Sequence, residues 1–332
     1  MASEVCRADM QMKSHVIFGL FKMTHRKLCT LIFAASLGLI ASIANADEPY
    51  WPAENWGPHL HGIEWGETAG LTIDGKGRLY AFTRKNTPVV EFDAKGNVLK
   101  TWGDGLFVYP HGIRVDRFGF LWLTDARARD GKGHQVFKYS RDGKLLMTLG
   151  KAGVGGDGID TFNGPTDVAV ARNGDIFVAD GHVNNRIVKF SKDGRFIKQW
   201  GKKGEGPGDF NLPHSLFFDS RGRLLVGDRS NKRIQLFDQD GNFIDQWTQF
   251  GSPSGIFIAP DDTLYVVDYN DKKRLFIGNA KDGSIKYEIN NLTLAEGVAV
   301  DKQGNIYVSE TVAGKTDSGL VTGHMVRKLV RN

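Results

Sequence analysis

Residues 211–230 read NLPHSLFFDSRGRLLVGDRS, and residues 108–127 read VYPHGIRVDRFGFLWLTDAR. In both, Pro-His leads into a short alternating strand, a polar turn with glycine follows, and a second strand ends in aspartate. A phrase repeated in this way marks one structural unit used more than once. Four further segments share it: AGLTIDGKGRLYAFTR from Ala69, TDVAVARNGDIFVADGH from Thr166, SGIFIAPDDTLYVVDYN from Ser254 and EGVAVDKQGNIYVSETV from Glu296. Strand-like tails follow, such as QVFKYSRDGKLLMTLG from Gln135 and RIVKFSKDGRFIKQWG from Arg186.

Each unit therefore predicts four short strands joined by tight turns. Asp142-Gly143, Asp193-Gly194 and Asp240-Gly241 are hairpin dipeptides. Helical periodicity is absent, and glycine and aspartate recur too often for long helices. Units of about 40–55 residues suit propeller blades. One blade cannot bury both faces, whereas a closed ring does so and removes the exposed sheet edges. The expectation is an all-β, six-bladed β-propeller over residues 47–332, with blades beginning near Gly70, His111, Thr166, His214, Ser254 and Glu296. The terminal HMVRKLV is either a last strand or a ring closure made with N-terminal residues.

Residues 1–46 read as a leader outside the fold. His25, Arg26 and Lys27 precede an apolar run from Leu28 to Ile43, and Ala44-Asn45-Ala46 is a small-x-small cleavage pattern. Met23 is then a natural start, with residues 1–22 an overlong upstream extension. Export to a periplasm or secretion is expected, with no membrane span left after cleavage. Both cysteines, Cys6 and Cys29, leave with the leader. That excludes disulfides, thiolate metal sites and thiol nucleophiles from the mature chain. The whole chain has 43 Lys and Arg against 38 Asp and Glu, and removal of the leader leaves 38 against 36. With no clustered basic stripe, nucleic acid is not an expected partner. The glycine-rich stretch GKAGVGGDGIDTFNGPTD lacks the Gly-Lys-Ser/Thr ending and the following helix of a phosphate loop, so it is a loop between blades.

Just before the first strand of each blade sits a recurring position: Gly70, His111, Thr166, His214, Ser254 and Glu296. Four of these follow a proline, which stiffens the approach. The innermost strands line a propeller's channel, so these residues form a ring. His111, His214 and Glu296 occupy alternate blades and can converge on the axis. Two imidazoles and a carboxylate with an open position form a catalytic zinc ligand set, and iron uses it too. A second ring comprises Arg84, Asp125, Asp180, Asp228, Asp268 and Glu310. Asp180 and Asp228 read as structural, bonding backbone N–H groups. The residues just after the ring vary more: Arg127, His182, Arg229 and Tyr269. Arg84 and Arg229 suit a carboxylate or an oxyanion, and His182 or Tyr269 suits proton transfer. His59 and His61 lie in a Trp-rich lead-in segment, and His134 and His324 read as peripheral.

The repeats resemble the NHL family of six-bladed propellers, and more closely its peptidyl-alpha-hydroxyglycine alpha-amidating lyase domain. The matching motifs are PHG at Pro110, FNGPTDVAV at Phe162, DIFVADG at Asp175, NNRIVKF at Asn184, FNLPHSL at Phe210 and DRSNKRIQLF at Asp228. The resemblance implies zinc held by three histidines and cleavage of a carbinolamide to glyoxylate and a peptide amide. His111 and His214 match two ligands, and Glu296 stands where the third histidine is implied. Arg84 and Arg229 match active-site arginines. His182 replaces the family's tyrosine base, and Val183 replaces its neighbouring cysteine. A structural calcium is also implied, through carbonyls of Leu71 and Ile113, but Gly297 stands at its aspartate position.

The expected function is a metal-dependent lyase or hydrolase acting on a small, carboxylate-bearing or peptide-derived substrate. The monooxygenase domain that makes the family's substrate is not recognisable in this chain. Two other readings fit the architecture: a non-catalytic propeller that binds a protein or glycan at one mouth, and a lactonase-like hydrolase.

Overall fold

The computed structural model describes residues 49–53, 56, 66–311 and 326–331. The expected leader, His59, His61 and His324 lie outside them. Six four-stranded antiparallel sheets follow one another along the chain. The first strands of the blades are Thr68–Ile73, Pro110–Val115, Pro165–Val170, Pro213–Phe218, Pro253–Ile258 and Ala295–Val300. The protein is an all-β, six-bladed propeller whose blades are consistent with NHL-type repeats.

Blade six closes the ring. Its third strand is Val326–Arg331, and its outermost strand is Tyr50–Pro52 from the other end of the chain. The two alternatives for closure are therefore used together. The chain ends share one sheet, so opening the ring requires breaking that strand pair and not only a loop.

Burial falls outward within each blade. The second strand of blade three, Ile176–Asp180, is buried throughout, whereas the outermost, Phe196–Trp200, alternates with solvent. The apolar clusters bridge neighbouring blades. Trp122 and Val136 of blade two pack with Val168, Val178 and Val188 of blade three. Leu225, Ile234 and Leu236 of blade four pack with Ile256, Leu264 and Val266 of blade five. Leu79, Val90 and Phe92 of blade one meet Ala299, Tyr307 and Val326 of blade six, which seals the ring. Each such valine, leucine, isoleucine or phenylalanine contributes about 1.5–3 kcal/mol by leaving water. The Asp-Gly turns form where expected, with Gly143, Gly194 and Gly241 at φ of 89°, 79° and 77°, a region glycine enters without penalty.

Candidate metal centre

The first strand of every blade is interrupted at the same place. Register shifts lie between Thr68 and Gly70, Pro110 and Ile113, Pro165 and Asp167, Pro213 and Ser215, Pro253 and Gly255, and Ala295 and Gly297. A bulge of this kind re-aims one side chain. The residues it sets apart are Ala69, His111, Thr166, His214, Ser254 and Glu296. The ring read from the sequence is thus real, with one correction: blade one contributes Ala69, not Gly70. Blades one and six have no proline to mark the place, and of the two only blade one is displaced, by one residue.

The bulge also links neighbouring blades. His111 Nδ1 bonds the carbonyl of Thr166 at 2.7 Å, and His214 Nδ1 bonds that of Ser254 at 2.8 Å. A carbonyl only accepts, so each Nδ1 carries the proton and each Nε2 carries a lone pair. The Nε2 of His111 is buried without a partner, and that of His214 accepts from Arg229 Nη1 at 2.8 Å. A buried lone pair without a donor is costly, and ring nitrogens oriented from behind by carbonyls are the arrangement that metal-binding imidazoles use.

His182 completes the cluster. The backbone N–H groups of Gly181 and His182 both reach the carbonyl of Gly164, at 3.1 and 3.0 Å, folding the loop back over the channel. A Cβ on Gly181 would come within 1.9 Å of the Pro213 carbonyl oxygen, so only glycine lets this loop pass blade four. The ring centroid of His182 lies 4.4 Å from that of His111 and 5.8 Å from that of His214, while His111 and His214 are 4.7 Å apart. One nitrogen from each of the three lies within 4.8 Å of the others. Burial, and then Arg229, Arg84 and Arg127, push His182 down to about 3. Burial drives His111 and His214 well below the usual range too. All three imidazoles are therefore neutral at physiological pH, as metal ligation demands. The residues fit a divalent metal.

Sequence reasoning grouped Glu296 with His111 and His214 and left His182 to move a proton. The structure gathers the three imidazoles, and Glu296 lies beside His214, its Oε2 3.3 Å from Nε2. The same oxygen accepts from Ser254 Oγ at 2.7 Å and lies 3.5 Å from Arg229 Nη1. Burial raises the Glu296 carboxyl above its ordinary range, with Arg229 and Ser254 pulling the other way.

The second ring divides by register. Pro110, Pro165, Pro213, Pro253 and Ala295 pair with Asp125, Asp180, Asp228, Asp268 and Glu310. These carboxylates accept backbone N–H bonds from the loop ahead of each blade, for example Tyr109, Asn163, Asn211, Ser252 and Thr293. They are structural, as expected for Asp180 and Asp228. Arg84 does not belong with them. Thr83 is the register equivalent, and Arg84 lies one position later, like Arg229 and Tyr269. Arg84 pairs with Glu67 at 2.8 Å, and the guanidinium carbons of Arg84 and Arg127 lie 4.1 and 3.9 Å from the Tyr109 ring centroid. Arg229 stacks on Tyr269 with its guanidinium carbon 4.5 Å from the ring centroid. Arg127 and Tyr109 are the residues whose place beside the site the sequence did not reveal. Arg127 was visible as a variable residue after a repeated strand, but Tyr109 carried no signal.

The implied calcium does not fit. Leu71, Ile113 and Gly297 line the channel, but residue 297 has no side-chain oxygen, and a Cβ there would already approach Ser309 Oγ at 2.8 Å. A cationic group is present in that channel: Arg114 bonds Asp167 at 2.6 Å and the Leu216 carbonyl at 3.1 Å. His134 is half-buried and receives the Gly164 N–H at 3.3 Å.

A family model described as DUF5128, 6-bladed beta-propeller, matches residues 162–246. Peptidyl-glycine alpha-amidating monooxygenase B of Xenopus laevis is 35% identical over 213 residues, covering 54% of this chain and 23% of that protein. A probable peptidyl-alpha-hydroxyglycine alpha-amidating lyase of Caenorhabditis elegans is 34% identical over 195 residues, covering 51% of this chain and 54% of its own length. Human NHL repeat-containing protein 3 is 35% identical over 176 residues, covering 50% of each. The chain thus spans about a quarter to about half of the relatives it matches. A streptogramin B lyase structure superposes with a TM-score of 0.59 over 85% of this chain and 98% of its own, at 12% identity, a likeness of fold alone. Together these relate the chain to NHL-repeat and amidating-lyase-like propellers.

Proposed function

We propose that this propeller is a metal-dependent lyase of the amidating-lyase type, cleaving a small carbinolamide that bears a carboxylate. The observation that carries this reading is the group of three neutral imidazoles, buried His111 and His214 and half-buried His182, flanked by Arg84 and Arg229. A zinc ion bound there would polarise the substrate hydroxyl. Iron(II) is the alternative that the same ligands accept.

Arg229 is held between Glu296 and the Tyr269 ring, and Arg84 between Glu67 and Tyr109. Guanidinium groups fixed in this way suit the planar carboxylate of the substrate. With His182 among the imidazoles, the base is assigned to Glu296, whose carboxyl is raised by burial and lies beside His214. It takes the hydroxyl proton as the carbon–oxygen double bond forms and the C–N bond breaks. The proton is then returned to the departing amide nitrogen, so charge and atoms balance. Tyr269, which the sequence also offered for proton transfer, serves instead as the surface on which Arg229 rests.

The test pairs two variants of the purified holoprotein. His182→Ala is expected to lose most of its bound transition metal. Glu296→Gln is expected to keep the metal while kcat on an N-acyl-α-hydroxyglycine falls by about 10²–10⁴. Less than a tenth of an equivalent of metal in the wild type sinks the reading and favours a recognition propeller. Glu296→Gln losing metal as fully as His182→Ala returns Glu296 to the ligand set.

A further inference from the structure

Past the bulge, two positions along the first strands are charged in a single blade each. Arg114 lies three residues after His111 in blade two. Thr72, Ala169, Phe217, Phe257 and Ala299 hold its place in the other blades, and none is charged. Asp167 follows Thr166 in blade three, where the other blades have Gly70, Gly112, Ser215, Gly255 and Gly297. Blade three thus carries the carboxylate that the resemblance puts in blade six.

These two residues meet and engage a third blade. Arg114 Nη2 donates to Asp167 Oδ2 at 2.6 Å and to the Leu216 carbonyl of blade four at 3.1 Å. The same Oδ2 accepts the Leu216 N–H at 2.9 Å, and Oδ1 accepts the Val168 N–H at 2.8 Å. Both backbone groups of Leu216 are therefore bonded by a side-chain pair from blades two and three. The guanidinium carbon lies 4.8 Å from the Phe217 ring centroid, and Nε is buried without a partner. The side chains of Arg114 and Asp167 are 15% and 8% exposed, so salt screens their attraction little.

Nothing in this lining suits calcium, which takes about 6–8 oxygen ligands. Both oxygens of Asp167 already accept bonds, and a guanidinium repels a divalent ion. The pair also supports the imidazoles from behind. Thr166, beside Asp167, accepts from His111 Nδ1, and Leu216 lies two residues past His214.

We infer that Arg114 is a built-in replacement for the implied calcium: a cation fixed to blade two that ties blades three and four at the axis, frees the propeller from any need for calcium, and by its charge positions His111 and His214. The inference is independent of the reaction proposed above, because it concerns only the cations that the fold itself needs.

Calcium and zinc measurements test its two halves. The purified wild type, dialysed into calcium-free buffer, is expected to keep less than a tenth of an equivalent of calcium. Millimolar calcium chloride should then leave its thermal midpoint unchanged, whereas a site of micromolar affinity would raise it by about 8–16 °C. Arg114→Met leaves Asp167 uncompensated, so its midpoint is expected to fall by about 6 °C or more. Its zinc affinity is expected to fall by about tenfold. Arg114→Lys keeps a charge opposite Asp167 and is expected to recover most of both losses. Calcium that the wild type retains, or that stabilises it, overturns the replacement. Zinc affinity that is the same in Arg114→Met as in the wild type, or no better in Arg114→Lys than in Arg114→Met, overturns the positioning. Should Arg114→Met fail to fold, the calcium measurements still decide the replacement, and a loss of zinc affinity of about tenfold in Arg114→Lys overturns the positioning.

Discussion

Asp228→Asn tests whether the repeated carboxylates hold the site in place. The carboxylate is fully buried and accepts four bonds: Asn211 N–H at 2.7 Å, Asn231 Nδ2 at 2.8 Å, Arg233 Nε at 2.8 Å and Gln235 Nε2 at 3.2 Å. An asparagine of the same shape can keep the first bond through its oxygen. Its amide group then faces three donors where an acceptor is needed. The buried Arg233 also loses its counter-charge, a change that costs about 3–5 kcal/mol. Arg233 keeps its bonds to the carbonyls of Glu205, Gly206 and Asp209 and to Gln246, so the lower end, about 3 kcal/mol, applies. At about 2–4 °C per kcal/mol for a domain of this size, the thermal midpoint falls by about 6–12 °C. Asn211 lies three residues before His214, and Arg229 N–H bonds the intervening Leu212 carbonyl. Metal affinity is therefore expected to drop by about tenfold as well, as when an outer-shell partner is lost. Urea unfolding with metal titration measures both. Asp193→Asn, on an exposed turn, serves as the control. A loss below about 1 kcal/mol for Asp228→Asn would refute the claim that these carboxylates anchor the blades.

Gly181→Ala forces a Cβ onto the Pro213 carbonyl oxygen. The loop must move, and His182 is expected to leave the cluster, seen as a large loss of bound metal. Without metal, His182 makes the fold acid-sensitive. The unfolded imidazole takes a proton near 6.5 and the folded one near 3, so this stabilisation is complete above pH 6.5 and is lost as pH falls towards 3. The loss is about 1.4 kcal/mol per pH unit over that window. Urea midpoints in chelator, near neutral pH and at about pH 5, should fall less for His182→Gln than for the wild type. Identical slopes contradict the assignment of a neutral imidazole at His182.

Much of the architecture was legible because a propeller writes one unit many times. Apolar alternation placed the strands, Asp-Gly placed the turns, and the proline before His111 and His214 marked the bulge that aims them inward. Blades one and six lack that proline; in blade six a glutamate still marks the position, whereas in blade one it falls on Ala69, beside a glycine that carries no signal. Arg84 was grouped with aspartates for a related reason: sequence spacing cannot tell the last paired residue of a strand from the first unpaired one. His182 was harder. It lies beyond the strand, where period no longer constrains direction. Its path depends on Gly181 clearing Pro213 and on two bonds to Gly164, and neither is written as a repeat.

These misses share a physical origin that also bears on function. In blades two to six, the carboxylate that ends the second strand anchors the preceding loop, while the residues just after it, such as His182 and Arg229, reach the imidazole cluster. Scaffold and chemistry thus occupy adjacent but separate positions. A third imidazole can then come from the loop of blade three, at His182, where the resemblance placed it on the bulge of blade six, at residue 296. No strand need change for this exchange, because Glu310 and Asp180 still hold Thr293 and Asn163 as their counterparts do in other blades. The residue left at 296 is then free to accept from Ser254 and lie beside Arg229, and a carboxylate can do both. The double variant Glu296→His with His182→Tyr is therefore expected to retain one equivalent of metal, whereas His182→Tyr alone is not. Equal metal loss in both would mean that the two positions do not serve one axial point.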